Sequence, residues 1–490
     1  MYLEWLDCMQ PETPGKLWRF VRHRGYGMLK HLSEMTERLW LGQVYFPLLL
    51  GILVAALATH WYVAGAAVLI CTAIWFMLLC SDILASFCPL LLAAFLVAPE
   101  YVNMIIFLPC LPLLFLFVAA AVLHFVIWPV PIRLGRSSHG LAMVSAAAIL
   151  SGCDSLPLSA RTAPLTLYYT LGLGAGALVI YAAVRSVLAE KRSYDLKVRF
   201  AQIWLTAGLG MAAVVAAVCW QHLGDFAALN GAIPEFKCRN FSTTILLTTL
   251  PSAFYLSRRN RWYLAAGAVM VVAMIFTGSR SALLFGTALS VLGCVYLVRF
   301  GAVSLRTMGL VLAAGAVFMA LFGVEALKTL YESRLVEGRL IVNDSLRWHL
   351  LAQSVEDYLN HPVFGVGLGN TANSNLFTGV PGSMFFYHCL PAQAAGSMGI
   401  LGIAAYAVLI GDRVQILFRG RKDPFVVMLA LSYAGMLLVS LTNPGEFCPF
   451  PNEVMMVTLF AVAECHVGDR TVLLEQLLPR PSTARIVRSK

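Results

Sequence analysis

Runs of about 20 apolar residues recur along almost the whole chain, and no other feature restricts its fold so strongly. Fourteen such runs lie between residues 44 and 466. Two of them, 139–152 and 451–466, are short enough to be re-entrant or half-buried elements instead. Hydrocarbon offers a backbone no hydrogen bonds, so an open sheet edge cannot survive there and the runs read as helices. The 490 residues are 59% apolar and 12% charged, with a mean hydropathy of +0.78. A soluble domain averages about 25% charged residues, and a disordered chain has too few apolar groups rather than too many. The expected fold is an all-α polytopic membrane protein of about 12–14 transmembrane helices.

The net charge of +10 suggests nucleic acid only until its distribution is followed. With the N-terminus placed in the cytosol, eight of the 35 Lys and Arg residues fall outside: Arg161, Lys237, Arg239, Arg280, Lys328, Arg334, Arg339 and Arg347. All the others fall inside, as the positive-inside rule requires. Lipid headgroups, not nucleic acid, are the expected partners of these charges. Both termini are then cytosolic. The chain divides into an N-terminal arm (1–43), a membrane region (44–325), an extracytoplasmic loop (326–390), a second membrane region (391–466) and a cytosolic tail (467–490). The first forty residues are polar and mixed in charge, so no cleavable signal peptide is expected. Trp18, Phe20, Tyr26 and Trp40 fit either an interfacial helix or a loose cytosolic arm. The 12 cysteines form no CxxC, and Cys71, Cys80, Cys88, Cys110 and Cys294 read as small buried hydrophobes. Cys153, Cys238, Cys389 and Cys448 lie near the outer side, where the sequence leaves open a disulfide that it does not assign. Glycines 172, 174 and 176 read as close helix packing. Few charges fall in the middle of the runs, which weighs against an ion-coupled transporter.

The loop between 325 and 391 is far longer than its counterparts, and structureless connections beyond about 15 residues are usually functional. Within it Leu346, Leu350, Leu351, Val355, Tyr358 and Leu359 recur at helical spacing. They predict a helix over Ser345–Leu359, capped by Asn343 or Asp344 and stopped at Asn360-His361-Pro362. A glycine-rich turn, Gly365 to Asn370, follows. Arg347 would then stand in the first helical turn, where the dipole does not favour a cation and an anion, or Asp344, is the natural partner. The junction Thr277-Gly278-Ser279-Arg280-Ser281 opens on the same side, and His388 closes the loop. Four arginines (280, 334, 339 and 347) and a histidine thus reach one outer rim. Arginine forks grip phosphate oxygens bidentately, and a neutral imidazole suits proton transfer from a hydroxyl. Plainer readings stand beside this one: Arg334 and Arg339 as headgroup anchors or partners of Glu332 and Glu337, and His388 as a surface group. Lys237 and Arg239 are weaker phosphate candidates. No HExxH, EF-hand or Walker loop is present, and His361, His388 and Cys389 lack metal-ligand spacing, so neither metal nor cofactor is expected.

These segments give the chain, best over about 262–411, a resemblance to the O-antigen ligase and polysaccharide polymerase family of bacterial membrane glycosyltransferases. The resemblance rests on Ser279-Arg280-Ser281 at a span end and Asp344-Ser345-Leu346-Arg347-Trp348 in the large loop. It continues with His361-Pro362-Val363-Phe364-Gly365-Val366-Gly367, and with His388 ahead of Gly399-Ile400-Leu401-Gly402. It implies a GT-C-like fold in the bacterial cytoplasmic membrane and a metal-independent, inverting transfer at its outer face. The donor would be a polyprenyl-diphosphate-linked glycan, and the acceptor a glycan, lipid or protein. His388, Arg280 and Arg347 take the catalytic positions. Arg280 and Arg347, with Arg334 and Arg339, would bind the diphosphate, and Asp344, Ser279 and Gln393 would support them. Cys389 stands where family members often have Asn, and Gln393 and Ser397 where an acidic residue often lies. If those groups orient the acceptor, the acceptor differs, which leans toward a polymerase while leaving a ligase open. A flippase or exporter of lipid-linked oligosaccharide is the alternative from another class.

Overall fold

Prolines and glycines decide where the apolar runs persist as helices and where they break. The structure, a computed structural model, describes residues 30–99, 101–153, 166–190, 194–221, 238–301, 303–318, 339–368, 387–443, 445–468 and 472–473. Helix α1 (Lys30–Leu41) meets α2 (Tyr45–Thr59) at 83°. Trp40 is buried at that bend, with the Arg199 guanidinium 4.5 Å above its ring. Next come α3 (Tyr62–Leu79) and α4 (Leu84–Phe95), then a 3₁₀ stretch, Tyr101–Cys110, that runs into α5 (Leu111–Ile127). After β1 (Arg133–Leu134) come α6 (Ser137–Cys153) and α7 (Thr166–Leu171), joined by a π turn at Gly172–Gly176 to α8 (Ala177–Leu188). The glycine series does pack closely: a Cβ on Gly172 would meet Pro449 at 2.5 Å, and one on Gly174 would meet Ile149 at 3.0 Å.

The second half holds α9 (Leu196–Gln221), α10 (Arg239–Thr249), α11 (Pro251–Ser257), α12 (Trp262–Phe276), α13 (Arg280–Arg299) and α14 (Leu305–Phe318). Then follow α15 (Arg339–Asn360), α16 (Leu390–Arg419), α17 (Pro424–Ser440) and α18 (Val454–Val467). Strand β2 (Val472–Leu473) pairs antiparallel with β1.

Among the described residues, six segments are long and apolar enough to cross a membrane: Tyr62–Leu79, Ile105–Ile127, Tyr168–Leu188, Leu196–Gln221, Arg280–Arg299 and Leu390–Arg419. The bent pair α1–α2 makes a seventh if it is one span, and α4, α12 and α17 are shorter apolar helices. The chain is a multi-pass, all-α membrane protein. The fourteen apolar runs do not become fourteen full-length helices, because several are interrupted. The run 241–257, for example, divides where Pro251 opens α11. Helix α5 shows its environment directly: Phe115, Val118, Val122 and Val126 are exposed and only Ala120 and His124 are buried, as for a helix facing lipid.

Charges sort the helix ends. Lys197 Nζ lies 3.4 Å from Asp423 Oδ2, which His466 Nε2 meets at 2.6 Å. Arg259 pairs with Asp195 at 2.6 Å, and the Tyr296 hydroxyl donates to the Pro424 carbonyl at 3.1 Å. The start of α9, the end of α13, the start of α17 and the end of α18 therefore share one basic end of the bundle. Arg419, at the end of α16, lies four residues before Asp423 in sequence. The first residues of α13 and α16 consequently stand at the opposite end.

Two features depart from expectation. Arg413, counted with the cytosolic loop, is fully buried inside α16 against Glu446 and Glu453. Arg185 and Glu464 likewise meet at 3.5 Å in the interior, where Glu464 also accepts from the Ser137 amide at 2.8 Å and from the Tyr181 hydroxyl. The interior thus holds more charge than the loops alone suggest. The hydrophobic runs concealed it, because each ionisable residue sits near a run's edge in sequence and only folding brings its partner from another helix.

Candidate functional site

Helix α15 runs from Arg339 to Asn360, so Asn343 and Asp344 lie inside it rather than capping it. Arg347 is then in the third turn, and the argument from the helix N-terminus falls away. The end agrees with expectation: Pro362 has no amide proton to continue the helix. Residues 347, 350, 354 and 357 share one face at helical spacing. Leu350, Ser354 and Asp357 are buried against the start of α16, and Arg347 extends that stripe while remaining exposed.

The chain enters α16 through Tyr387, His388 and Cys389. The Tyr387 hydroxyl donates to Asp357 Oδ2, and Gln353 Nε2 donates to Asp357 Oδ1 at 3.0 Å. The Tyr387 amide donates to Gln393 Oε1 at 3.0 Å, while Gln393 Nε2 donates to Ser397 Oγ at 2.8 Å. Both ends of the Gln393 amide are thus engaged in the protein, and its side chain is 1% exposed. Gln393 supports the backbone beside His388. His388 itself has φ 53, an uncommon backbone conformation for a residue other than glycine. Burial holds its imidazole at about 4, below the ordinary histidine value, and the nearby Arg347 charge pushes in the same direction. Arg347 and His388, separated by 41 positions, are therefore brought into electrostatic contact and His388 is neutral at pH 7.

The glycine-rich turn ties this corner to α16 through backbone hydrogen bonds. Val366 N donates to Gly396 O at 2.9 Å and Gly367 N to Ser397 O at 3.2 Å. In return Ile400 N donates to Pro362 O at 2.8 Å. The exchange is possible because α16 breaks at Gly399 (φ 60, ψ −151), a region open essentially to glycine alone. A Cβ there would lie 2.5 Å from the Val363 carbonyl oxygen.

The Arg280 corner is built separately. Ser279 Oγ donates to Asn240 Oδ1 at 3.3 Å and shares a 2.8 Å hydrogen bond with Ser281 Oγ. Thr277 and Thr243 hydroxyls meet at 3.3 Å. These contacts pin the α12–α13 junction to the first turns of α10, so Arg239 and Arg280 open neighbouring helices on one rim. Ser279 is buried and Arg280 exposed. Helix α13 packs on α10, α12 and α17, whereas α15 packs on α16; α17 touches both α13 and α16. The two corners therefore stand at the same end of the bundle, with α17 between their helices. Arg339 opens α15 and Asp344 lies within it; Arg334 and Lys237 fall outside the described residues. Cys238, Cys389 and Cys448 are free thiols.

Arg280, Arg347 and His388 all lie in a segment similar to a known family. Residues 265–407 match the family model for O-antigen ligase, Wzy_C. The match spans under a third of the chain, from within α12 to within α16, and takes in Arg280, Arg347 and His388. No curated protein matches the chain. Asp357, Tyr387 and Asn240 were not singled out from sequence. Asp357 was legible only as a polar residue in the apolar stripe of α15, and Asn240 only as a polar group entering a span.

Proposed function

We propose that this chain is a glycosyltransferase of O-antigen ligase type, passing a glycan from a polyprenyl diphosphate to an acceptor hydroxyl at the outer face of the cytoplasmic membrane. The basic end of the bundle is the cytosolic one in this reading, by the positive-inside rule. The observation that carries the proposal is the neutral, half-buried His388 within electrostatic reach of Arg347, both inside the segment matching the family. The acceptor oxygen attacks the anomeric carbon, and the bond from that carbon to the phosphate oxygen breaks with inversion. The electron pair leaves on the diphosphate, where Arg347 and Arg280, with Arg339 and Arg334 as further candidates, match its charge. His388 receives the acceptor proton. An arriving diphosphate offsets the Arg347 charge and so raises the imidazole's basicity when substrate is bound. The acceptor is a second lipid-linked glycan or another lipid or protein.

The test uses purified full-length protein in lipid nanodiscs with a polyprenyl-diphosphate-linked oligosaccharide. His388→Ala is expected to abolish glycosidic product while retaining donor binding. Translocation of the donor without product by the unmodified protein would overturn the reading in favour of a flippase.

A further inference from the structure

Between α17 and α18 the chain does not simply loop over the rim. Residues 445–453 form a 3₁₀ turn, Gly445–Phe447, and an irregular π turn, Pro449–Glu453, whose side chains reach the interior. The 14 residues of α18 rise only about 21 Å from the basic end, so Glu453 lies below the opposite rim. Arg413 is six residues, about 9 Å, from the end of α16. Non-helical backbone at such depth is tolerated only where protein or a cavity surrounds it.

Arg413 meets both acids. Its Nη1 pairs with Glu446 Oε1, and its Nη2 donates to Glu453 Oε1 at 2.9 Å. The three side chains are 0%, 0% and 5% exposed. The guanidinium lies 4.8 Å from the Phe460 ring centre and 5.7 Å from that of Tyr433. The ionisable groups facing the acids are Arg413 and Tyr406 from α16 and Tyr433 from α17; α18 contributes Phe460. The neighbouring Arg185–Glu464 pair is balanced by itself. One cation thus faces two carboxylates, leaving an excess negative charge among buried side chains.

An independent observation gives the missing component. Glu446 Oε2, Glu453 Oε2 and Asn452 Oδ1 are buried and accept no hydrogen bond among the described residues. Arg413 Nε and the Tyr406 and Tyr433 hydroxyls are buried without acceptors as well, so the excess of negative charge over positive, not a shortage of donors, is what calls for a proton. We propose that this cluster is a proton-binding site, holding one proton between Glu446 and Glu453 so that the turn enters the membrane as a neutral unit. A bound monovalent cation would balance the same charge, and it differs from a proton in making stability depend on sodium or potassium. Protonated, one of the two carboxyls is neutral, and the remaining carboxylate balances Arg413.

Full-length protein in nanodiscs tests this by infrared spectroscopy. The native protein at pH 7 is expected to show the carbonyl stretch of a buried carboxylic acid. Glu453→Gln and Glu446→Gln should each remove it, since the acid that remains is ionised by Arg413. Thermal unfolding gives a second reading: the native protein should lose stability as pH rises through the site's titration, whereas either Gln variant should lack that component. Absence of the band from native protein between pH 5 and 8 would overturn the proposal, whether or not the variants fold. So would its persistence in both variants, or a melting temperature that depends on sodium or potassium rather than on pH. None of these readouts involves glycan transfer, so they stand or fall apart from the proposed activity.

Discussion

The Tyr387 hydroxyl donates to Asp357, joining the residue before His388 to the loop helix that carries Arg347. This bond spans 30 positions of sequence and is buried at both ends. Burial and the adjacent carboxylate push the phenol far above its ordinary range, so it remains a donor at every physiological pH.

Removing that donor should cost stability and activity together. Tyr387→Phe leaves a buried oxygen of Asp357 without its donor, a loss of about 1–3 kcal/mol. Chemical or thermal unfolding in detergent checks the first effect. A lower kcat with little change in KM checks the second, since Tyr387 positions His388 rather than binding substrate.

The pH dependence follows from the low His388 value. If proton transfer to His388 limits the donor-free enzyme, the acid limb of kcat/KM should fall near 4 rather than at the usual histidine value. Arg347→Gln should move that limb upward, because one of its two causes has gone. Stability carries the opposite bookkeeping of protons: unfolded His388 takes a proton first as pH falls. The contribution is complete above about 6.5 and declines from there toward about 4. Histidine-specific NMR titration reports the shift directly.

Arg347→Lys and Arg280→Lys keep charge but lose the planar fork. Each should lower transfer by about tenfold or more, as expected when a bidentate phosphate contact becomes a point contact. Both arginines are exposed, so the unfolding free energy should move by no more than about 0.5 kcal/mol. Steady-state kinetics beside thermal unfolding separates the two effects.

Gly399→Ala should be among the most damaging single-methyl additions in the chain. It forces a side chain into a backbone region that only glycine enters freely, against the Val363 carbonyl. A destabilisation of more than about 2 kcal/mol is expected, seen as lost thermal stability and lower yield of folded protein.

Hydropathy made the membrane class, the basic end and the loop helix legible, because each depends on local composition or on a period of 3.6 residues. The end of α15 was legible from Pro362. Its beginning was not, since Asn343 and Asp344 favour caps yet are carried inside a longer helix. Arg280 and Arg347 stood out as cations on a side that has few, and His388 as an imidazole closing the long loop. Asp357 and Gln393 act by fixing Tyr387, and nothing local distinguishes such a polar residue from a solvated one. Arg413 was misplaced for the same reason: its partners Glu446 and Glu453 lie more than 30 positions away.

The joint between the glycine turn and the broken α16 is made by amides and carbonyls, from Pro362 to Gly367 on one side and Gly396 to Leu401 on the other. Its geometry is therefore indifferent to most of the side chains it contains. Val363, Val366, Ile400 and Leu401 contribute to the joint through their backbone, so replacing their side chains should leave the clasp in place while the glycines keep theirs. The closure of loop on bundle is thus set by the spacing of a few glycines rather than by the identity of the residues between them.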